Sequence, residues 1–438
     1  MRNAQRKDES SAGRYAVPNA PSSASQVSGA GPGAPVGREH LPFSYHLVWG
    51  SSLALFAVGL VMVFSTSSVA ALFQGDDSLK YVEKQALIGA FGLVALVALS
   101  RIPYQRLRPW ILGAFILSVV LLLLVHVPYV GRSAKGAARW IDLGPLPLQP
   151  SEVAKLVIVG VAASLLATQR ALKGGAGRLL LPLGPIVLGV CALVLAERDL
   201  GTALLIAGVT MGLLWVADLS GWQWTFIALV GSSVGALFIL ITPFRRERFL
   251  AFLHPFATPL DGGFQIVQSL LAFGSGGLTG VGPGRSIQKF NYLPEARTDM
   301  IFAILGEEFG LLGVALVLSL FALFVAAGWR IAMRCRDPFG KYLAAGCTLL
   351  VGGQALVNAG GVLGALPLTG VPLPFISYGR TNLLIMLAAV GIILSVARHG
   401  PTEPEDLAAP ILEESPNVSH IDRRRRHRRS RGAGVGAR

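Results

Sequence analysis

Long apolar stretches separated by short polar, glycine- or proline-containing segments recur along most of this chain. A helix rising about 1.5 Å per residue needs roughly 20 such residues to cross a hydrocarbon layer of about 30 Å. Ten candidate runs can be drawn, near residues 46–65, 83–100, 109–126, 152–168, 178–196, 201–217, 222–242, 300–328, 342–365 and 382–397. The pattern predicts an all-α polytopic membrane protein of about ten transmembrane helices, with one large extracytoplasmic loop, 243–299, between spans 7 and 8.

The polar segments orient that bundle. Arg101, Arg106 and Arg108 follow span 2, Arg170, Lys173 and Arg178 follow span 4, and Arg330, Arg334, Arg336 and Lys341 follow span 8, all on one side. The positive-inside rule makes that side cytoplasmic and places both termini there. Residues 1–44 read as a disordered tail, 45–398 as the transmembrane domain and 399–438 as a disordered basic tail. No cleavable signal peptide stands out, so the first span is expected to serve as the signal anchor.

Composition agrees with a membrane location. Of 438 residues only 14% are charged, against roughly 25% in soluble domains, and mean hydropathy is +0.59. The net charge of +14 does not point to nucleic acid, because eight arginines and no acid lie between Arg423 and Arg438 and the rest carries only +6. Contact with an anionic inner leaflet and a bias on topology account for that tail. Cys191, Cys335 and Cys347 show neither metal-ligand spacing nor a disulfide framework and read as packing residues.

Cations on the opposite face need a different account. The segment 127–150 carries Arg132, Lys135 and Arg139, and 243–299 carries Arg245, Arg246, Arg248, Arg285, Lys289 and Arg297. Long loops translocate largely regardless of charge. These residues could attract anionic headgroups, or recognise a phosphorylated lipid substrate, since the guanidinium fork matches phosphate oxygens. An outer location excludes ATP as a ready energy source.

Ionisable residues at the span ends are the candidate chemistry. Glu152 and Lys155, three apart at the start of span 4, share a helical face, though Ser151 or Glu152 could simply complement the helix N-terminus. Asp199 stands where it can cap span 6 or pair with a cation such as Lys155. Glu307 and Glu308 lie roughly 10 Å inside span 8, and at least one should face the bundle interior. The run from Gly274 to Gly284 fits neither GxGxxG nor a Walker loop. Its glycines suit tight turns and close approach to lipid or ligand. The prolines between Pro367 and Pro374 break the chain before span 10, as tolerated at membrane depth only inside protein or along a cavity.

Several of these motifs together resemble those of the SEDS family (shape, elongation, division and sporulation). They are Ala137-Ala-Arg-Trp140 with Gln149-Pro-Ser-Glu152, Asp199-Leu-Gly-Thr202, Gly262-Gly-Phe-Gln-Ile-Val-Gln-Ser269, Leu293-Pro-Glu-Ala-Arg-Thr-Asp299, Gly306-Glu-Glu-Phe-Gly310 and Pro372-Leu-Pro-Phe-Ile-Ser-Tyr-Gly379. The match runs from about 46 to 397, and Ser286-Ile-Gln-Lys289 before Tyr292 is most similar to the division members. The resemblance implies a peptidoglycan glycosyltransferase of the bacterial cytoplasmic membrane, at the division septum, that polymerises lipid II on the outer face and releases undecaprenyl diphosphate. It implies a class B penicillin-binding protein transpeptidase as partner, alongside other divisome proteins and membrane lipids.

By the same resemblance Asp299 matches the family's essential loop aspartate, acting on the acceptor's sugar 4-hydroxyl as base or orienter. Arg139, Lys155, Arg246 and Arg297 would stabilise the leaving charge, with or without a divalent cation such as Mg or Mn. Trp140, Glu152, Ser377 and Arg380 join the expected substrate contacts, and Asp199, Glu307 and Glu308 the supports. Two departures stand out: Arg380 occupies a position where members usually carry Gly, and Glu197-Arg198 replaces the usual Gln-Pro. A lipid II flippase and a non-catalytic scaffold are the competing readings. The flippase would favour a polar path across the bilayer, and the scaffold would tolerate loss of Asp299.

Overall fold

The structure, a computed structural model, describes residues 41–400 apart from 75–78, 129–130, 135–136, 143–146, 172–179, 260–261 and 291. Most of both expected tails, 1–40 and 401–438, lies outside the described residues. The described helices are α1 (Phe43–Gln74), α2 (Leu79–Arg101), α3 (Ile111–Leu124), α4 (Pro150–Ala171), α5 (Leu180–Ala196), α6 (Leu200–Val216), α7 (Gly221–Ile241), α8 (Pro243–Leu253), α9 (Phe264–Gly276), α10 (Ile301–Arg334), α11 (Pro338–Val362) and α12 (Arg380–His399).

Each of the ten apolar runs falls on a helix. Eight of the helical segments are long and apolar enough to cross a membrane, and Pro182–Ala196 and Leu200–Val216 are shorter apolar helices. The chain is a polytopic helical membrane protein. Helices α11 and α12 are the most enclosed and α7 the least, with α11 packed on α10, α4, α6 and α12, and α12 packed on α2. The third run begins as a 3-10 turn, Tyr104–Trp110, which contains Pro109, and becomes α-helical only after that proline.

Three features depart from the sequence reading. First, the helical fold carries one small antiparallel sheet in the 127–150 loop: β1 (Gly131–Ala134), β2 (Ala137–Asp142) and β3 (Pro147–Leu148), in the order β1-β2-β3. Arg132 pairs with Trp140 and Ile141 with Leu148. A loop rich in small residues satisfies its backbone groups by pairing with itself. Second, the segment 243–299 contains two helices. Pro243 opens α8 at its first turn, and α9 buries Ile266, Val267, Ser269 and Ala272 on one side, where the Ser269 hydroxyl donates to Val362 O at 2.8 Å.

Third, α10 is broken at Gly310, whose φ of 64° is open to glycine at little cost. The glycine-rich run docks into the break. Val281 N donates to Glu307 O, Gly282 N to Glu308 O, Leu311 N to Gly277 O and Leu312 N to Leu278 O, at 2.9 to 3.1 Å. A Cβ at Gly280 would collide with the Glu308 carbonyl. The close approach expected of these glycines is therefore to the backbone of α10, and it satisfies groups that a broken helix would leave exposed to hydrocarbon.

Candidate active site

Asp299 lies in a turn just before α10. Thr298 N and Met300 N both donate to Glu295 O, at 3.0 and 3.2 Å, with Glu295 at φ 59°. The Thr298 hydroxyl lies 2.7 Å from Glu295 Oε2 and 3.2 Å from Asp299 Oδ1; its single proton can serve only one at a time. From α11, the Asn358 amide donates to Asp299 O at 2.7 Å and to Val371 O at 2.8 Å. One side chain thus joins the aspartate turn to the 363–379 connection. Gly370 sits so near that a Cβ there would lie 3.6 Å from Asp299 Oδ2. The aspartate side chain stays half-buried.

One helical turn along α11, Gln354 begins a second cluster. Its amide donates to Pro372 O at 2.8 Å, and its oxygen accepts from Lys155 Nζ at 2.7 Å. Lys155 also pairs with Glu152 Oε1 at 2.8 Å, and Asn382 of α12 donates to Glu152 Oε2 at 2.7 Å. Glu152 and Lys155 are no more than 2% exposed. The shared face expected of them exists, but Lys155 is enclosed and neutralised rather than presented to a leaving group. Their charges lock α4, α11 and α12 together.

Asp199 accepts from Thr202 N at 3.0 Å and from the Thr202 hydroxyl at 2.9 Å, so the capping alternative describes it and the Lys155 pairing does not form. Arg139 donates to Glu197 O at 3.1 Å and Arg198 O at 2.6 Å, clamping the α5–α6 turn. Trp140 follows it on β2, half-buried. Arg246 is exposed on α8. The Ser377 hydroxyl accepts from Leu373 N at 2.8 Å, which closes the local turn. Arg297 and Arg380 are half-buried at the same end, and Tyr378 N donates to Arg297 O at 2.9 Å.

Both glutamates of α10 face protein, and their adjacency sends them to different partners. Glu307 accepts from the Ser286 hydroxyl, from Ile287 N at 2.9 Å and from Gln288 N at 3.3 Å. Glu308 accepts from the Ser65 hydroxyl of α1 at 2.6 Å and pairs with Lys289 Nζ at 3.1 Å. Lys289 also reaches Gly284 O at 2.7 Å. Lys289, unmarked in the site reading of the sequence, is what neutralises Glu308.

Residues 45–401 match the model of the FtsW/RodA/SpoVE family, described as cell cycle proteins. This chain belongs to that family. Stage V sporulation protein E of Bacillus subtilis is 38% identical over 348 residues, covering 80% of this chain and 95% of that one. The probable peptidoglycan glycosyltransferase FtsW of Geobacter metallireducens is 40% identical, covering 79% and 92%. A solved peptidoglycan synthase complex, described as coordinating polymerization and crosslinking, has a chain that superposes with a TM-score of 0.65 at 29% identity, covering 81% and 97%.

The α5–α6 turn buries an acid: Glu197 is 1% exposed, and neither carboxylate oxygen has a hydrogen-bond partner. Burial, reinforced by the nearby Asp199 carboxylate, pushes its acid up to about 8, against the pull of the Arg139 guanidinium.

Proposed function

We propose that this chain polymerises lipid II into glycan strands during cell division, with Asp299 as the group that takes or orients the acceptor's proton. The chain is a peptidoglycan glycosyltransferase, as its relatives' names state of them. In this reading the Asp299 end of the bundle is extracytoplasmic, both termini are cytoplasmic, and the protein resides in the bacterial inner membrane at the septum. The observation that carries the role of Asp299 is its geometry: a half-buried carboxylate in a turn whose backbone carbonyl is held by Asn358 and whose Oδ1 lies 3.2 Å from the Thr298 hydroxyl.

In the proposed step the acceptor's 4-hydroxyl oxygen forms a bond to the donor's anomeric carbon while the bond from that carbon to the diphosphate oxygen breaks. The hydroxyl proton passes to the Asp299 carboxylate, and undecaprenyl diphosphate leaves with the bonding electrons. Asp299 and Glu295 would hold a divalent cation such as Mg or Mn, together with substrate phosphate oxygens, as that ion's preference for one or two carboxylates plus phosphates requires. When bound it would neutralise the leaving charge. A class B penicillin-binding protein would crosslink the product, by analogy with the matching synthase complex.

The test is polymerisation of purified lipid II by the chain co-purified with its cognate transpeptidase, wild type against Asp299→Ala. Polymer from the wild type alone supports the reading. Equal polymer from both rejects the role of Asp299, and none from a folded wild-type complex under varied metal conditions favours flippase or scaffold.

A further inference from the structure

The α5–α6 turn is packed against the connection that flanks Asp299. A Cβ at Gly201, in the first turn of α6, would lie 2.5 Å from Val371 Cγ2 and 2.8 Å from Thr369 O, so no space separates the two segments. Gly370, between those residues in sequence, stands against the Asp299 carboxylate, and Val371 O shares the Asn358 amide with Asp299 O. A shift of the turn therefore reaches the aspartate through its immediate neighbours. The turn is strained. Arg198 has φ 59°, a conformation costly for a residue with a Cβ, and Arg139 of β2 holds it by donating to the Glu197 and Arg198 carbonyls. The charged groups that act on the Glu197 carboxyl are Asp199 in the turn and Arg139; α4 adds the neutral Ser151 hydroxyl. Glu152 and Lys155 of α4 are paired with each other, and α5, α6 and the 363–379 connection contain no charged residue.

Both Glu197 oxygens are enclosed without a hydrogen-bond donor among the described residues. An uncharged carboxyl tolerates that setting, whereas a carboxylate in low dielectric demands a cation. Arg139 is the cation at hand, and it is engaged with the two carbonyls. We propose that Glu197 is a positioning residue: uncharged, it leaves Arg139 clamping the turn and the 363–379 connection seated beside Asp299, and ionised, it draws Arg139 to itself and releases both. The role rests on Asp299 being the reactive group and adds to it a control by proton loss to water. Two arrangements of one guanidinium supply the two-state element that such coupling requires. Burial sets the point of change at about 8.

The experiment follows lipid II polymerisation by the full chain, co-purified with its transpeptidase, from neutral to alkaline pH, and records the infrared band of protonated carboxyl groups on the same samples. Wild type, Glu197→Gln, Arg139→Gln and Asp299→Ala are compared, with rates normalised to folded complex. Wild-type kcat is expected to fall roughly tenfold one unit above the change at about 8. KM should stay within about twofold, because the reactive group rather than substrate binding is disturbed. Glu197→Gln, uncharged throughout, should hold its kcat across that window and should lack the carboxyl band that the wild type loses there. Arg139→Gln, without the clamp, should show a lowered kcat already at neutral pH and no alkaline step. Coincident kcat profiles for wild type and Glu197→Gln, or no titrating band that depends on Glu197, would overturn the positioning role and leave Asp299 untouched. Asp299→Ala polymerising as fast as wild type would reject the reading of Asp299, and a Glu197-dependent alkaline step persisting in that variant would still support control of the connection.

Discussion

Glu152 and Lys155 are almost wholly enclosed and meet Asn382, Gln354 and each other, whereas Asp299 and Arg297, held by the next turn of the same helix α11 and by the 363–379 connection, remain half exposed. The two clusters are joined through Gln354 and Asn358, four residues apart on one helical face. Their difference separates two uses of charge in a membrane protein. A pair sealed in low dielectric with each partner satisfied fixes helices against one another. A charge left at the rim keeps bonding capacity for something that arrives from outside.

Substituting the rim carboxylate should give the largest effect on activity. Asp299→Ala is expected to lower lipid II polymerisation roughly 100- to 10,000-fold, the range for losing a general base, while the melting temperature of the purified complex stays near wild type. The sealed cluster should behave oppositely. Lys155→Met strands Glu152 in the interior and should cost about 3–5 kcal/mol, read as a marked fall in melting temperature with activity lost through unfolding. Adding Glu152→Gln to Lys155→Met should recover part of that loss; a double variant as unstable as the sum would show that the two charges are not coupled.

Smaller effects test the parts that position both clusters. Gly310→Ala places a side chain at φ 64° against the backbone of Gly280 and Leu278, for a loss of about 1–3 kcal/mol. Gly113→Ala, where nothing lies within 4 Å, is its control and should leave thermal stability unchanged. The smallest effect concerns Glu197. Its acid is raised from 4.5 to about 8 in the folded protein, so the folded state holds a proton that the unfolded state releases first. That contribution is complete below about 4.5 and is lost as pH rises through about 8. Glu197→Gln should therefore flatten the decline in melting temperature across this window and make the protein more stable than wild type at its alkaline end.

Much of the architecture was legible before any coordinates. Ten apolar runs became helices because crossing hydrocarbon demands internally satisfied backbone over a set length, and local composition reports that demand. Capping by Asp199 was also legible, since a cap involves only neighbours in sequence. The sheet at 131–148 and helices α8 and α9 were hidden in loops, because such short segments carry too weak an apolar period to stand out. The break at Gly310 was hidden too, because its repair comes from residues 277–282.

Hydropathy and motif alone were enough for a helical membrane protein with Asp299 as the candidate reactive group, because both depend on residues close together along the chain. Packing decided that Lys155 is enclosed, that Arg139 clamps a turn, that Lys289 neutralises Glu308, and that Arg297 lies beside the start of α12. The fate of a cation depends on which carboxylate, carbonyl or ring the fold brings within a few ångströms of it. Glu152 lies three residues from Lys155 and their shared face was legible, but Gln354, Glu308 and the Glu197 carbonyl lie 19 or more residues from the cations they meet, so no local pattern records them.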